Sequence, residues 1–355
     1  MNKKNIKATV AEAAEKEAGF YENDFQLKTD TSSTQIDTNF SSLSYWTEVR
    51  KRFFANKGAV IAGIIILVIV FFAFAGPNMN SYTYSSQNLE QKNFAPRIPG
   101  AKFIFNGNER MKTTTGTKIV NLYEKNNATD VYYWFGSDVL GRDIWTRTWM
   151  GTRVSLYISI IAVLIDMIIG MSYGLISGYF GGIVDSTMCR IAEIINGIPR
   201  LVIVTLLMLV LKPGIATIIF ALMITEWISM ARIARAEMLN LKEREFVLAS
   251  RTLGARNFSI IFREILPNII GQIITQTMFS IPTAIFTEAF LSFVGLGIPV
   301  PQCSLGSLIS DAFNSFTTHP YQILPPILVL ALLMLSFNLL ADGLREALDP
   351  KLKEA

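Results

Sequence analysis

From Gly58 to Ala75 the chain runs eighteen residues without a charge, GAVIAGIIILVIVFFAFA, and as a helix this stretch covers roughly 27 Å. That is close to the hydrocarbon thickness of a bilayer, where backbone groups must be satisfied within their own segment, so a helix is required. Apolar runs of similar length recur at Leu156–Ile176, Met188–Leu211 and Ile215–Ala231, then from Pro267 to Phe290 and at Ile323–Leu340. The pattern predicts an all-α polytopic membrane protein with six transmembrane helices. Composition agrees, since 51% of the 355 residues are hydrophobic and only 17% charged, too apolar for an ordinary soluble domain.

Charge placement orients the spans. Arg50, Lys51, Arg52 and Lys57 crowd against the first run, which puts the N-terminus in the cytoplasm. The expected division is a solvated tail at 1–55, a first helix at 56–76, and an extracytoplasmic insert with an interfacial helix at 77–154. A five-helix core at 155–345 and a short tail at 346–355 follow. The insert carries ten Lys and Arg, yet a loop this long crosses largely regardless of its charge. Strand-like patches stand at Lys102–Phe105 and Val131–Trp134. The mixture of aromatic and Arg residues from Phe135 to Leu156 predicts a helix lying at the bilayer surface. GYFGG at Gly178–Gly182 predicts a cytoplasmic turn, Pro199 a kink, and Lys212–Gly214 an outer turn. The stretch 292–322 has no Lys or Arg and suits the outside, with a short helix dipping back into the membrane. Both termini are therefore expected in the cytoplasm.

Residues 232–267 form a charged island between two spans, with seven Lys or Arg and four Glu. Phe246, Ala249, Ser250 and Leu253 fall on one helical face. After Gly254 a second face follows from Phe258, Ile261, Phe262 and Ile265, and Pro267 predicts that the next helix begins anew. Two short amphipathic helices meeting at a glycine bury too little to be stable alone, so they connect spans along the membrane surface or dock on another subunit.

The order Leu248, Ala249, Ser250, three residues, Gly254, then Leu266 and Pro267 resembles the EAA loop of ABC importer permeases. Leu248 replaces the Glu of that pattern, Ser250 its second Ala, and Glu264 stands where Ile is usual. Further stretches resemble the C-type permease subunit of oligopeptide and dipeptide ABC importers. They are FGSDVLGRDIWTR with GTRVSL, GYFGG with Asp185 and Arg190, TEAFLSFVGLGIPVP with Gly306, and DGLREALDPKL. Two departures are Glu193, where Asp is usual, and Leu305, where Trp is usual.

The resemblance implies the type I importer permease fold and a non-catalytic subunit that forms a peptide path with a homologous permease. It also implies two cytoplasmic ATPases that hold ATP and magnesium, and an external peptide-binding lipoprotein or periplasmic binding protein. The location it implies is the bacterial plasma membrane, in contact with lipid. Phe246, Ala249, Ser250, Arg251, Leu253, Gly254, Ala255, Arg256, Leu266 and Pro267 would then form the ATPase-coupling element. Arg251 and Arg256 either pair with acidic groups on the ATPase rim or meet lipid phosphates. Same-family import of nickel or another solute is the nearer rival, and a self-contained channel or secondary transporter the more distant one.

No GxxxxGK[ST] phosphate loop occurs, so this chain cannot itself cradle ATP in that way. A net charge of +4 does not make a nucleic-acid footprint. Cys189 and Cys303 lie far apart and imply neither a disulfide framework nor a metal site, and His319 beside Pro320 reads as a loop residue. Asp166, Glu226 and Glu288 fall inside spans, where a charge is costly and faces a cavity or partner. They either line the path or fix helix packing by hydrogen bonds; for Glu288, inside the TEA run, packing is preferred, and Glu226 is near enough to the inner end to reach the interface.

Overall fold

The computed structural model describes residues 45–100, 105–113 and 116–348. Residues 1–44, most of the expected N-terminal tail, lie outside the described residues. Helix α1, Tyr45–Ala55, carries an i,i+4 ion pair of Arg52 with Glu48 at 2.6 Å. Asn56 then caps α2, Lys57–Ala75, by accepting from the Ala59 amide.

The insert folds around Phe94, Tyr123 and Tyr133, whose rings pack together and are fully buried. Burial pushes the Tyr123 and Tyr133 phenols well above their usual range. Each hydroxyl is satisfied, by Ala95 O at 2.8 Å and Gln91 Oε1 at 2.6 Å. Strand β1, Asn108–Thr113, pairs antiparallel with β2, Gly116–Asn121, setting Asn108 opposite Asn121. A one-turn helix α3, Leu122–Lys125, follows. The strands are not those expected. Lys102–Ile104 lie outside the described residues, and Val131–Trp134 is irregular because the Tyr133 ring is taken into the insert's core.

Helix α4, Ile144–Phe180, is a single 37-residue helix capped by Asp143. Of the segment expected to lie on the bilayer surface, 135–143 lies outside any helix and Ile144–Leu156 forms the first turns of this one. Nothing between Ile144 and Leu156 breaks a helix, and protein covers those turns. Trp145 Nε1 donates to Gly76 O at 2.9 Å, and Arg153 Nε donates to Ala73 O at 3.0 Å, at the C-terminal end of α2 where a cation is favoured. Helices α5, Gly182–Asn196, and α6, Arg200–Leu211, meet at 78°, as Pro199 at the start of α6 cannot donate to the turn before it. Helix α7, Ile215–Thr225, and α8, Trp227–Leu241, join at Glu226 and carry the fourth span ten residues past its expected end.

Next come α9, Glu245–Thr252, and α10, Asn257–Ser259. A π-helical turn, Ile260–Ile265, then leads into α11, Leu266–Phe293. The expected restart at Pro267 does not occur. The Leu266 amide reaches Ile261 O, five residues back, so the hydrogen-bond register has already shifted where Pro267 removes a donor, and the helix runs on from Asn257 to Phe293. Helix α12, Leu305–Phe313, starts at a capping box of Ser304 and Ser307 and is covered by protein along Leu305, Gly306 and Leu308. Helix α13, Leu324–Leu348, ends the described chain. Among the described residues five helices are long and apolar enough to cross a membrane, or six when the bent α5–α6 pair is counted as one span. The protein is an all-α polytopic membrane protein with an insert after its first helix.

Candidate functional site

The loop at 232–267 hangs from the C-terminal end of α4. Gly170, Gly174 and Gly178 follow one another at intervals of four residues on that helix and let α8 approach backbone to backbone. A Cβ on Gly174 would stand 2.2 Å from Ala231 O, and one on Gly170 would stand 2.5 Å from Trp227 O. Asp185 reinforces the contact, accepting from Arg235 Nε at 2.6 Å in a two-toothed pair and from the Ser177 hydroxyl.

On this frame α9 lays Val247 inward, fully buried beside Met238, Ile260, Ile261 and Ile265. The expected face of Phe246, Ala249, Ser250 and Leu253 is not the inward one. Phe246, Ala249 and Leu253 are exposed, Ser250 is half-buried, and Leu253 is 88% exposed. Of the second face, Ile261 and Ile265 are buried, while Phe258 and Phe262 stack on each other and stay exposed. Gly254 takes a positive φ of 80°, and a Cβ there would meet nothing within 4 Å. Tyr179, at the end of α4, secures the turn. Its hydroxyl donates to Asn257 Oδ1 at 2.9 Å, and the Arg251 guanidinium stacks on its ring at 5.0 Å. Ala255, Arg256 and Pro267 are exposed, and Leu266 is half-buried against the inner core. The loop is therefore rigidly seated on one side and presents apolar and basic groups on the other.

The three intramembrane acids have different partners. Glu288 is fully buried and accepts from Ser155 Oγ at 2.7 Å and Ser292 Oγ at 2.8 Å, tying α4 to α11. Glu226, at the α7–α8 break, pairs with Arg200 at 2.6 Å, and Arg200 also donates to Thr287 at 3.0 Å. Asp166 is 3% exposed and feels the charges of both Glu226 and Arg200, yet among the described residues its Oδ1 has no hydrogen-bond partner.

Sequence reasoning missed several anchors. His319 is not a bare loop residue, for its Nδ1 lies 2.8 Å from Glu109 Oε1, joining the insert to the approach to the last span. Asp311 on α12 meets Arg142 at 3.2 Å and Arg147 at 3.4 Å. Such pairs, set 164 to 210 residues apart, leave no periodic signal. The glycine spacing on α4 was a readable one. Among the described residues no group of three or more His, Cys, Asp or Glu is placed to hold a metal.

Residues 170–354 match the family described as binding-protein-dependent transport system inner membrane component. Residues 44–96 match the N-terminal transmembrane domain of oligopeptide transport permease C. The chain is 42% identical over 313 residues to the oligopeptide transport system permease protein OppC of Bacillus subtilis, covering 88% of this chain and 92% of that one. It is 41% identical to the dipeptide transport system permease protein DppC of the same organism, over 88% of each chain. Identity to the DppC of Lactococcus lactis is also 41%, over 88% of this chain and 92% of that one. A solved inward-facing chain of the MetNI methionine ABC transporter overlays at a TM-score of 0.48 and 17% identity, over 57% of this chain and 96% of that one.

Proposed function

Because this chain belongs to the family of binding-protein-dependent transport system inner membrane components, it is a non-catalytic permease subunit of an ABC importer, and we propose that it imports short peptides beside a homologous permease. Two cytoplasmic ATPases bind and hydrolyse ATP with magnesium, and an external peptide-binding protein delivers the cargo. The names of the OppC and DppC relatives support the peptide cargo. The inner face is the one that carries 232–267 and both termini, as the distribution of Lys and Arg favours.

The observation that carries the coupling role is the division of the loop into an anchored side and a bare one. A loop that only connected spans along a membrane surface would have no need of a wedge held by Val247, Tyr179 and the glycine stripe. Held in that way, the exposed groups of Phe246, Ala249, Arg251, Leu253, Gly254, Ala255 and Arg256, with Ser250 beside them, move as one body with α8 and α11. Closure of two ATPases against such wedges rocks the spans. Leu266 and Pro267 pass the motion into α11.

A cysteine placed at Arg256 is expected to crosslink to an ATPase subunit in mild detergent, with a second permease retained in the complex. Crosslinks only between copies of this chain would sink the importer reading in favour of a channel or secondary transporter.

Glu288 serves packing, and Asp166 is the acid we assign to the path, close to the two helix breaks where α6 and the α7–α8 junction meet. Asp166→Asn is expected to lower peptide uptake at least fivefold at unchanged membrane abundance. Normal rates for every peptide tested would return Asp166 to a packing role.

A further inference from the structure

At the inner end of the bundle, α8, α11 and the last turns of α13 enclose a cleft of about 860 Å³, open on one side. Its lining is polar where the helices are otherwise apolar. Gln272 and Gln276 lie one turn apart on α11, Glu237 and Asn240 lie one turn apart on α8, and Arg244 stands just before α9. Arg345 of α13 completes the wall. Among the described residues none of these six side chains has a hydrogen-bond or ion-pair partner. Asn240, Arg244 and Arg345 are exposed and Glu237, Gln272 and Gln276 half-buried, so all six are free to meet water or a ligand that enters the cleft.

The chemistry of the lining selects the ligand. Side-chain amides donate and accept, so they match peptide main-chain groups whatever side chains the peptide carries. Two guanidiniums and one carboxylate complement a zwitterion. An anionic lipid headgroup would be repelled by Glu237, and its phosphate, which only accepts, would leave the amide oxygens unused. The volume suits a small ligand. We propose that this cleft is the inner half of the path on this chain, holding a short peptide by its main chain and its C-terminal carboxylate. This rests on the peptide-importer reading.

The test uses cells that carry the whole transporter, with radiolabelled trialanine as the probe. Arg345→Gln and Gln276→Leu are each expected to cut the maximal uptake rate at least tenfold at normal membrane abundance. The half-saturating concentration, set outside by the binding protein, should stay within twofold. Arg345→Lys should keep more than half of the rate. In parallel, Asn240→Cys should be labelled by an imported tripeptide whose central lysine bears a bromoacetyl group. Excess trialanine should protect it, with the native chain as background.

Wild-type rates in both variants, or an imported peptide that leaves Asn240→Cys unlabelled, would overturn the proposal and make the cleft a solvent pocket. Wild-type cells that import trialanine no faster than cells lacking the chain would overturn the peptide reading itself, and this proposal with it.

Discussion

Replacing Gly174 by leucine is expected to leave no monodisperse protein after extraction in mild detergent, and even Gly174→Ala is expected to lower the unfolding temperature by about 5 °C or more. The Cβ of either residue would stand 2.2 Å from Ala231 O and 2.8 Å from Arg235 N, and both neighbours are backbone, which cannot swing aside. Relief demands that α4 and α8 separate. That would strip Gly170 and Gly178 of the same contact and pull Arg235 from Asp185. Forcing extra atoms into a packed core costs roughly 1–3 kcal/mol where neighbours can adjust, and more where they are main chain. Set against a typical net stability of about 5–15 kcal/mol, the leucine variant loses a large share. Gly214→Ala is the control, because its Cβ would meet nothing within 4 Å and its backbone is extended. A Gly174→Leu protein that elutes as a single species and melts within a degree or two of the native chain would show that the two helices are not in this register.

The parts of this fold that can be read from sequence are those that a bilayer dictates. Uncharged runs near twenty residues must be helices, and the break at Gly197–Pro199 follows from a residue without an amide hydrogen. Helix continuity was harder to read. Arg and Trp residues between Ile144 and Leu156 looked interfacial because their polarity suits a membrane surface. They are covered instead by α2, α12 and the insert, which sequence spacing does not reveal. Pro267 looked like a start because a proline inside an α-helix removes a hydrogen bond, and the wide turn at Ile260–Ile265 cancels that penalty.

At the loop, a short helix that ends at Gly254 was legible, but which residues turn inward was not: Val247 does so in place of Phe246, and of the second set only Ile261 and Ile265 do. Phe246 and Val247 are neighbours with similar hydrophobicity, and only the shape of the α4–α8 seat decides that Val247 is buried. The same limit applies to the acids. Three carboxylates in apolar runs look alike, yet Glu288 accepts from two serines, Glu226 is paired with Arg200, and Asp166 Oδ1 has no partner among the described residues.

Gly254 should respond to substitution in a graded order that separates backbone strain from contact with a partner. Its φ of 80° lies in the left-handed region, where a residue with a Cβ costs roughly 1–2 kcal/mol and Asn costs least. Apart from its chain neighbours, no atom of the described residues lies within 4 Å of the missing Cβ, so within the isolated subunit alanine and leucine should be equally strained. Their unfolding temperatures should therefore agree. Uptake should not, because Leu253 and Gly254 stand at the exposed tip of the loop, where the proposed ATPase groove would close on them. Expected rates fall in the order Asn, Ala, Leu, with Gly254→Leu at least tenfold below the native chain while ATP hydrolysis by the assembled transporter persists. Equal rates for the alanine and leucine variants would mean that strain alone matters and nothing packs against the tip. Native uptake in Gly254→Leu would remove the tip at Gly254 from the ATPase contact and leave the coupling to the rest of the wedge.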